Sequence, residues 1–237
     1  VIIPEQPNSR PFNNFNSEPG KIEKFLISSL SYKLFRADQV RENEGQAAAN
    51  SGCDMFTLMQ RAGDVVFKQC LELMPNSDVY LVLVGQGNNA GDGYIAAINA
   101  KLAGKQVHLC AVEPERTLDG DAGKAQQRWL DSGGSINGFD AALLEKSDVV
   151  IDALLGTGIN SYIRNEFADI IDAVNASSTP VVSVDVPSGL DANTGQSLGR
   201  CVQADITVTF VGIKPGLVTG AGKQSCGKLV YADLGIG

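Results

Sequence analysis

The chain of 237 residues contains a single histidine, His108. Chemistry that needs an imidazole base must use that residue, and its place between Val107 and Leu109 in a strand-like run reads as packing or surface. Ser-His-Asp and Cys-His schemes are set aside on this ground. The five cysteines, Cys53, Cys70, Cys110, Cys201 and Cys226, are odd in number, scattered and free of CxxC spacing. That excludes a zinc cluster and suits the reduced thiols of a cytoplasmic protein. A net charge of −8 with no basic run argues against nucleic acid or an anionic membrane surface as partner. No apolar stretch approaches the roughly 20 residues needed to span a bilayer. Residues 1–24, rich in Pro, Asn, Ser and Glu, lack the apolar core of a secretory signal and read as a flexible arm. Residues 25–237 then form one domain.

What is present is organised around Val79 to Ala97. Val79 to Leu83 read as a buried strand of a parallel sheet. The run Gly85-Gln86-Gly87-Asn88-Asn89-Ala90-Gly91-Asp92-Gly93 follows where the strand must turn, and beyond Asp92 an apolar pattern suits a helix packing back on the sheet. A glycine-rich turn between strand and helix presents bare N–H groups and the positive end of a helix dipole, a cradle for phosphate. The run is neither GxGxxG with a ribose-binding acid nor a P-loop, because the P-loop lysine is missing.

The remainder alternates. Helices are expected over 37–50, with Asp38 as N-cap, over 54–73, over 119–131 and over 165–175. Strands are expected at 106–112, 148–155, 181–186, 204–210 and 227–234. Glu44 and Arg61 are polar residues that could point toward the site, although solvated or cap-pairing charges are the commoner reading of such positions. The alternation predicts an α/β fold, a Rossmann-like three-layer αβα sandwich on a mostly parallel sheet.

Acids recur where strands end: Asp92 beyond the first, then Asp152 and Asp185. In a parallel sheet all carboxyl ends lie along one edge, where open α/β folds bind ligands. Asn88, Asn89, Asp92, Asp152, Asp185 and Ser188 are therefore expected to converge on one crevice. Asn amide oxygen, carboxylate and hydroxyl make an all-oxygen set that hard cations choose, a monovalent ion as well as Mg²⁺.

GQGNNAGDGYIAA, VIDALLGTGI, VSVDVPSGLDANTG and ITVTFVGIKPGL, in this order, resemble the YjeF N-terminal family of NAD(P)H-hydrate epimerases, over about residues 35–235. The resemblance implies a Rossmann-like fold, usually dimeric. It implies interconversion of the R and S epimers of hydrated NADH and NADPH (NADHX and NADPHX), which carry a hydroxyl on C6 of the nicotinamide ring, in nucleotide repair. Asn88, Asn89, Ala90, Gly91 and Asp92 would hold this small-molecule substrate, with Gly156, Thr157, Gly158, Ile159, Asn160, Ser161 and Tyr162, and Asp185 would contact it. Asn89, Asp152 and Ser188 would hold K⁺. The ending LVYADLGIG resembles the junction to a dehydratase domain in longer relatives.

The implied chemistry needs little machinery. The ring nitrogen expels the protonated hydroxyl as water, and the planar iminium is rehydrated from the other face. Asp185 is expected to give and take the proton, which near neutral pH requires burial or a neighbouring carboxylate to raise its proton affinity. Lys214 is a second candidate. The alternatives are a non-catalytic nucleotide-binding or scaffolding module of the same fold, and a Mg²⁺-dependent phosphoryl enzyme.

Overall fold

The computed structural model describes residues 33–159 and 161–236, so the expected arm over 1–24 and the expected substrate contact Asn160 lie outside the described residues. Six strands form one sheet: β1 (Val79–Val84), β2 (Gln106–Ala111), β3 (Val149–Ala153), β4 (Val181–Val184), β5 (Ile206–Phe210) and β6 (Lys228–Ala232). Their order is β2-β1-β3-β4-β5-β6, and every pairing is parallel. The expected three-layer α/β fold is what the chain adopts. Among the described residues no helix is long and apolar enough to cross a membrane.

Alternation along the strands builds the two cores. Tyr80, Val82, Val84, Val149, Ile151 and Ala153 point to one face of the sheet. There they meet helices α2 (Met55–Leu73), α3 (Asn88–Leu102) and α4 (Gly120–Asp131). Leu81, Leu83, Val150 and Val181 point to the other, against Phe167, Ile170, Ile171 and Val174 of α5 (Asn165–Ala176). Strands apolar on both faces are what a sheet covered on both sides requires. The first helix, α1 (Ala37–Asn50), has the expected bounds, but Arg36 and not Asp38 is the N-cap, and Asp38 sits in the first turn bonded to the Arg36 guanidinium. Asp54 caps α2 by accepting from Thr57 N at 2.7 Å. Two short helices, α6 (Pro215–Val218) and α7 (Gly222–Ser225), complete the chain before β6.

The turn after β1 differs from its sequence reading. Helix α3 begins at Asn88, so Asn88 to Gly93 are helical and only Gly85-Gln86-Gly87 form the turn. Glycine disfavours helix, which is why the sequence reads as loop here. Packing supplies the reason for the glycines. A Cβ on Gly91 would stand 2.5 Å from Met59, and one on Gly93 2.6 Å from the Ala153 methyl. The helix is laid directly on α2 and β3, and its N-terminus is thereby fixed at the sheet edge.

Gly85 is the tightest of these approaches. Its N–H donates to Ala153 O at 3.1 Å, and a Cβ there would fall 1.8 Å from Leu154 O. Both partners are backbone at the ends of central strands, so neither yields as a side chain would. Gly85→Ala is expected to lower unfolding free energy by about 1–3 kcal/mol, read from the urea midpoint at unchanged m-value.

Candidate active site

A cleft of about 510 Å³ opens at the carboxyl edge of the sheet. Its lining includes Asn88, Asn89 and Asp92 of α3, Gly156 to Ile159, Ser161 and Tyr162 after β3, and Asp185 after β4. These are segments the sequence reading assigned to one site, and the parallel register brings them together. Ala90 and Gly91 take no part in the lining: Ala90 is fully buried and Gly91 is turned to Met59. Asp152 and Ser188, both fully buried, lie beneath the cleft.

Helix α1 forms a wall that the sequence reading did not place. Ala37, Val40, Arg41 and Glu44 all line the cleft. The i, i+3, i+4, i+7 spacing of one helix face was available as a signal, but half the stripe is polar and does not read as buried. The wall is tied down where Ala37 N donates to Asn193 Oδ1 at 2.8 Å and Phe35 N to Ile213 O at 2.9 Å. Arg61 does not reach the site; it donates to Leu234 O at 2.7 Å. His108 lies on edge strand β2, 3.1 Å from Gln106 Nε2 and away from the cleft lining.

Behind the lining residues Asn89 and Leu155 lies a buried oxygen cluster. Register pairs Asp152 with Ser183 across β3 and β4, and Ser183 Oγ donates to the Asp152 carboxylate at 2.8 Å. Ser188 donates to the same carboxylate twice, from N at 2.9 Å and from Oγ at 2.5 Å. Burial raises the proton affinity of Asp152, and these hydrogen bonds oppose the rise. One layer out, Ser188 Oγ accepts from Leu155 N at 2.9 Å, and Asn89 Nδ2 donates to Leu155 O at 3.2 Å. Asn89, Asp152 and Ser188 thus meet around the Leu155 peptide. No group of three or more His, Cys, Asp or Glu side chains suited to a metal occurs among the described residues.

Asp185 and Lys214 form the charged end. Asp185 has φ 63°, and Val186 N bonds back to Val184 O at 2.7 Å, which closes a γ-turn on the acid. Val211, after β5, repeats the geometry at φ 63° with Gly212 N to Phe210 O at 2.6 Å. A β-branched residue at positive φ is an outlier that surrounding structure must hold in place. The paired turns set Asp185 and Lys214 side by side. Lys214 is 1% exposed, and its ammonium donates to Asp185 Oδ1, to Thr209 Oγ1 at 3.1 Å and to Phe210 O at 3.0 Å. Asp185 Oδ1 also accepts from Thr209 Oγ1 at 3.1 Å and Phe210 N at 3.2 Å. The expectation of Lys214 as a candidate near the site therefore acquires a defined role as partner of the acid.

Asp92 differs from both acids. It reaches water only at the cleft, and no hydrogen bond to its carboxyl is found among the described residues. Burial first, then the charges of Asp185 and Glu44, push its proton affinity well above the usual carboxylate range, with Lys214 opposing. Glu44 is raised in the same direction, chiefly by burial and then by Asp185.

Residues 55–216 match the family described as YjeF-related protein N-terminus. The chain belongs to this family. It is 40% identical over 208 residues to the bifunctional NAD(P)H-hydrate repair enzyme Nnr of Escherichia coli, covering 88% of this chain and 40% of that protein. It therefore spans less than half the length of such bifunctional relatives. It is 36% identical over 204 residues to the NAD(P)H-hydrate epimerase of Limosilactobacillus fermentum, covering 86% of this chain and 98% of that one. The crystal structure of yeast YNL200c shares the fold, with a TM-score of 0.71 at 22% identity, over 84% of this chain and 87% of that one. The YjeF-type cleft is thus built on a scaffold that tolerates wide sequence divergence.

The state of Asp92 sets a stability test. A folded chain that holds this proton more tightly than the unfolded chain loses stability as pH rises above about 4, where the unfolded Asp begins to ionise. The Asp92→Asn variant lacks that loss. Its stability relative to the parent is expected to increase from pH 4 toward 7, with a slope of at most about 1.4 kcal/mol per pH unit, measured by urea unfolding at successive pH values.

Proposed function

We propose that this YjeF-type domain interconverts the R and S epimers of hydrated NADH and NADPH at C6 of the nicotinamide ring, in nicotinamide-nucleotide repair. The observation that carries the reading is the meeting of Asn88, Asn89 and Asp92, of Gly156 to Ile159 with Ser161 and Tyr162, and of Asp185 in one cleft. The family membership and the names of the relatives agree with it.

The residues divide the work. Helix α3 has no side-chain cap at Gly87, and Gly87, Asn88 and Asn89 line the cleft, so the start of this helix would take a phosphate of the dinucleotide. Gly156, Thr157 and Gly158 offer the opposite wall. The ring with its C6 hydroxyl then lies toward Asp185 and Lys214. Loss of the hydroxyl as water leaves a planar ring cation, and the Asp185 carboxylate stands where that charge develops. Asp185 Oδ1 is occupied by donors, including the Lys214 ammonium, which leaves Oδ2 to meet substrate or water. Water entering from the other face completes the inversion.

The donor set beneath the cleft fits K⁺. The Asp152 carboxylate, Ser188 hydroxyl and Leu155 carbonyl are oxygens of which only the carboxylate carries charge, and turning over the Asn89 amide, whose Nδ2 donates to Leu155 O, would add a fourth. Bound there, the ion would neutralise Asp152 and stiffen the Leu155–Gly156 backbone that walls the substrate. A homodimer and a cytoplasmic setting belong to the same reading; the five unpaired cysteines support a reducing compartment.

Two outcomes test it. Separated epimers mixed with the protein are expected to equilibrate by chromatography, and Asp185→Asn to slow this at least about 100-fold; near-parental rates in that variant would defeat the assignment. Replacing K⁺ by choline at equal ionic strength is expected to lower the melting temperature, because an ion bound to the folded state stabilises it. Asn89→Leu should abolish that difference.

A further inference from the structure

The charged groups around the cleft are not equivalent. Lys214 is committed to Asp185, Thr209 and the Phe210 carbonyl. Arg164 is turned toward Glu113, at 3.9 Å, and the Phe167 ring. Arg41 acts on Glu44, on its own helix. Asp92 and Glu44 are the cleft carboxyls with neither an ion pair nor a hydrogen bond among the described residues; Asp92 approaches the cleft from α3 and Glu44 from α1, whereas Asp185 approaches from the end of β4.

We propose that the acid and base of the epimerisation are two different residues: Asp92 donates the proton to the leaving C6 hydroxyl, and Asp185 Oδ2 accepts the proton of the water that adds to the opposite face. The proposal rests on the epimerase reading above and divides a role that the sequence assigned to Asp185 alone. Two carboxyls whose surroundings differ this much are how a site keeps one acid and one base at the same pH. Asp185 accepts three hydrogen bonds on Oδ1, one from an ammonium, an arrangement made for a carboxylate. Asp92 has only burial and negative neighbours, which hold a proton on it. The groups bearing on it are Glu44 from α1, Asp185 from β4 and Lys214 from beyond β5; α2 contributes the uncharged Met59 and Gly63 to the helix around it.

The step balances. The C6–O bond breaks as the Asp92 proton joins the departing oxygen, releasing water and leaving a ring cation and an Asp92 carboxylate. A solvent water forms the new C6–O bond from the other side and gives one proton to Asp185 Oδ2. The product is the neutral epimer, and the proton returns from Asp185 to Asp92 through water in the open cleft. No oxidant or reductant is involved. Glu44 is a positioning residue here: its charge helps keep the proton on Asp92.

The test measures epimer exchange on the full chain with separated epimers. Asp92→Asn is expected to lower kcat by about 10²–10⁴-fold with KM within about threefold. Glu44→Gln, which leaves Asp92 in place, is expected to move the alkaline limb of the kcat profile to lower pH. Asp92→Asn within threefold of the parent, a loss carried by KM alone, or an unmoved alkaline limb in Glu44→Gln would each overturn the proposal. A parental protein that fails to equilibrate the epimers would sink the epimerase reading itself, before any variant is measured.

Discussion

The site depends on one buried ammonium. Lys214 is removed from water, and such a charge persists only if fully paired. Asp185, Thr209 and the Phe210 carbonyl supply that pairing, and each sits at the end of a central strand. Removing one partner from a buried pair costs on the order of 3–5 kcal/mol in comparable cases. The γ-turns at Asp185 and Val211 are the local cost of bringing acid and lysine together, about 1–3 kcal/mol each for backbone in such regions. The arrangement exchanges backbone comfort for a fixed carboxylate at the mouth of the cleft.

Around that pair the sheet does the assembling. Parallel strands send every carboxyl end to one edge, so the residues after β1, β3, β4 and β5 meet without long loops. The close approach of Gly85 to Leu154 and of α3 to β3 leaves no slack between the walls. Ser188 ties the loop after β4 to the loop after β3 through Asp152 and Leu155. The polar cluster under the cleft is therefore also a structural joint. Cation binding and substrate-wall geometry would be linked through the same peptide.

Much of this was legible in the sequence, for stated reasons. Strand runs apolar on both faces announced a covered parallel sheet, and acids placed just after them announced the edge. What escaped notice followed from tertiary packing. Gly91 and Gly93 read as turn residues because helix propensity argues against them, and only contact with Met59 and Ala153 explains their place in α3. Lys214 read as a second candidate near the site, but its burial and its pairing with Asp185 could not be seen, because lysine is usually exposed. Glu44 could be read toward the site or toward solvent, because its helix face mixes Ala, Val, Arg and Glu, a pattern with no single polarity; it lines the cleft. Asp185 was expected both to give and to take the proton; the three donors gathered on its Oδ1 are invisible along the chain.

The 29-residue separation between Asp185 and Lys214 has a consequence for biosynthesis. On the ribosome the carboxylate emerges first, and its cationic partner follows only after the next strand has been made. A nascent chain halted between them holds much of the cleft wall but lacks the ammonium that pairs with the acid, so the working constellation is completed only once Lys214 has been added.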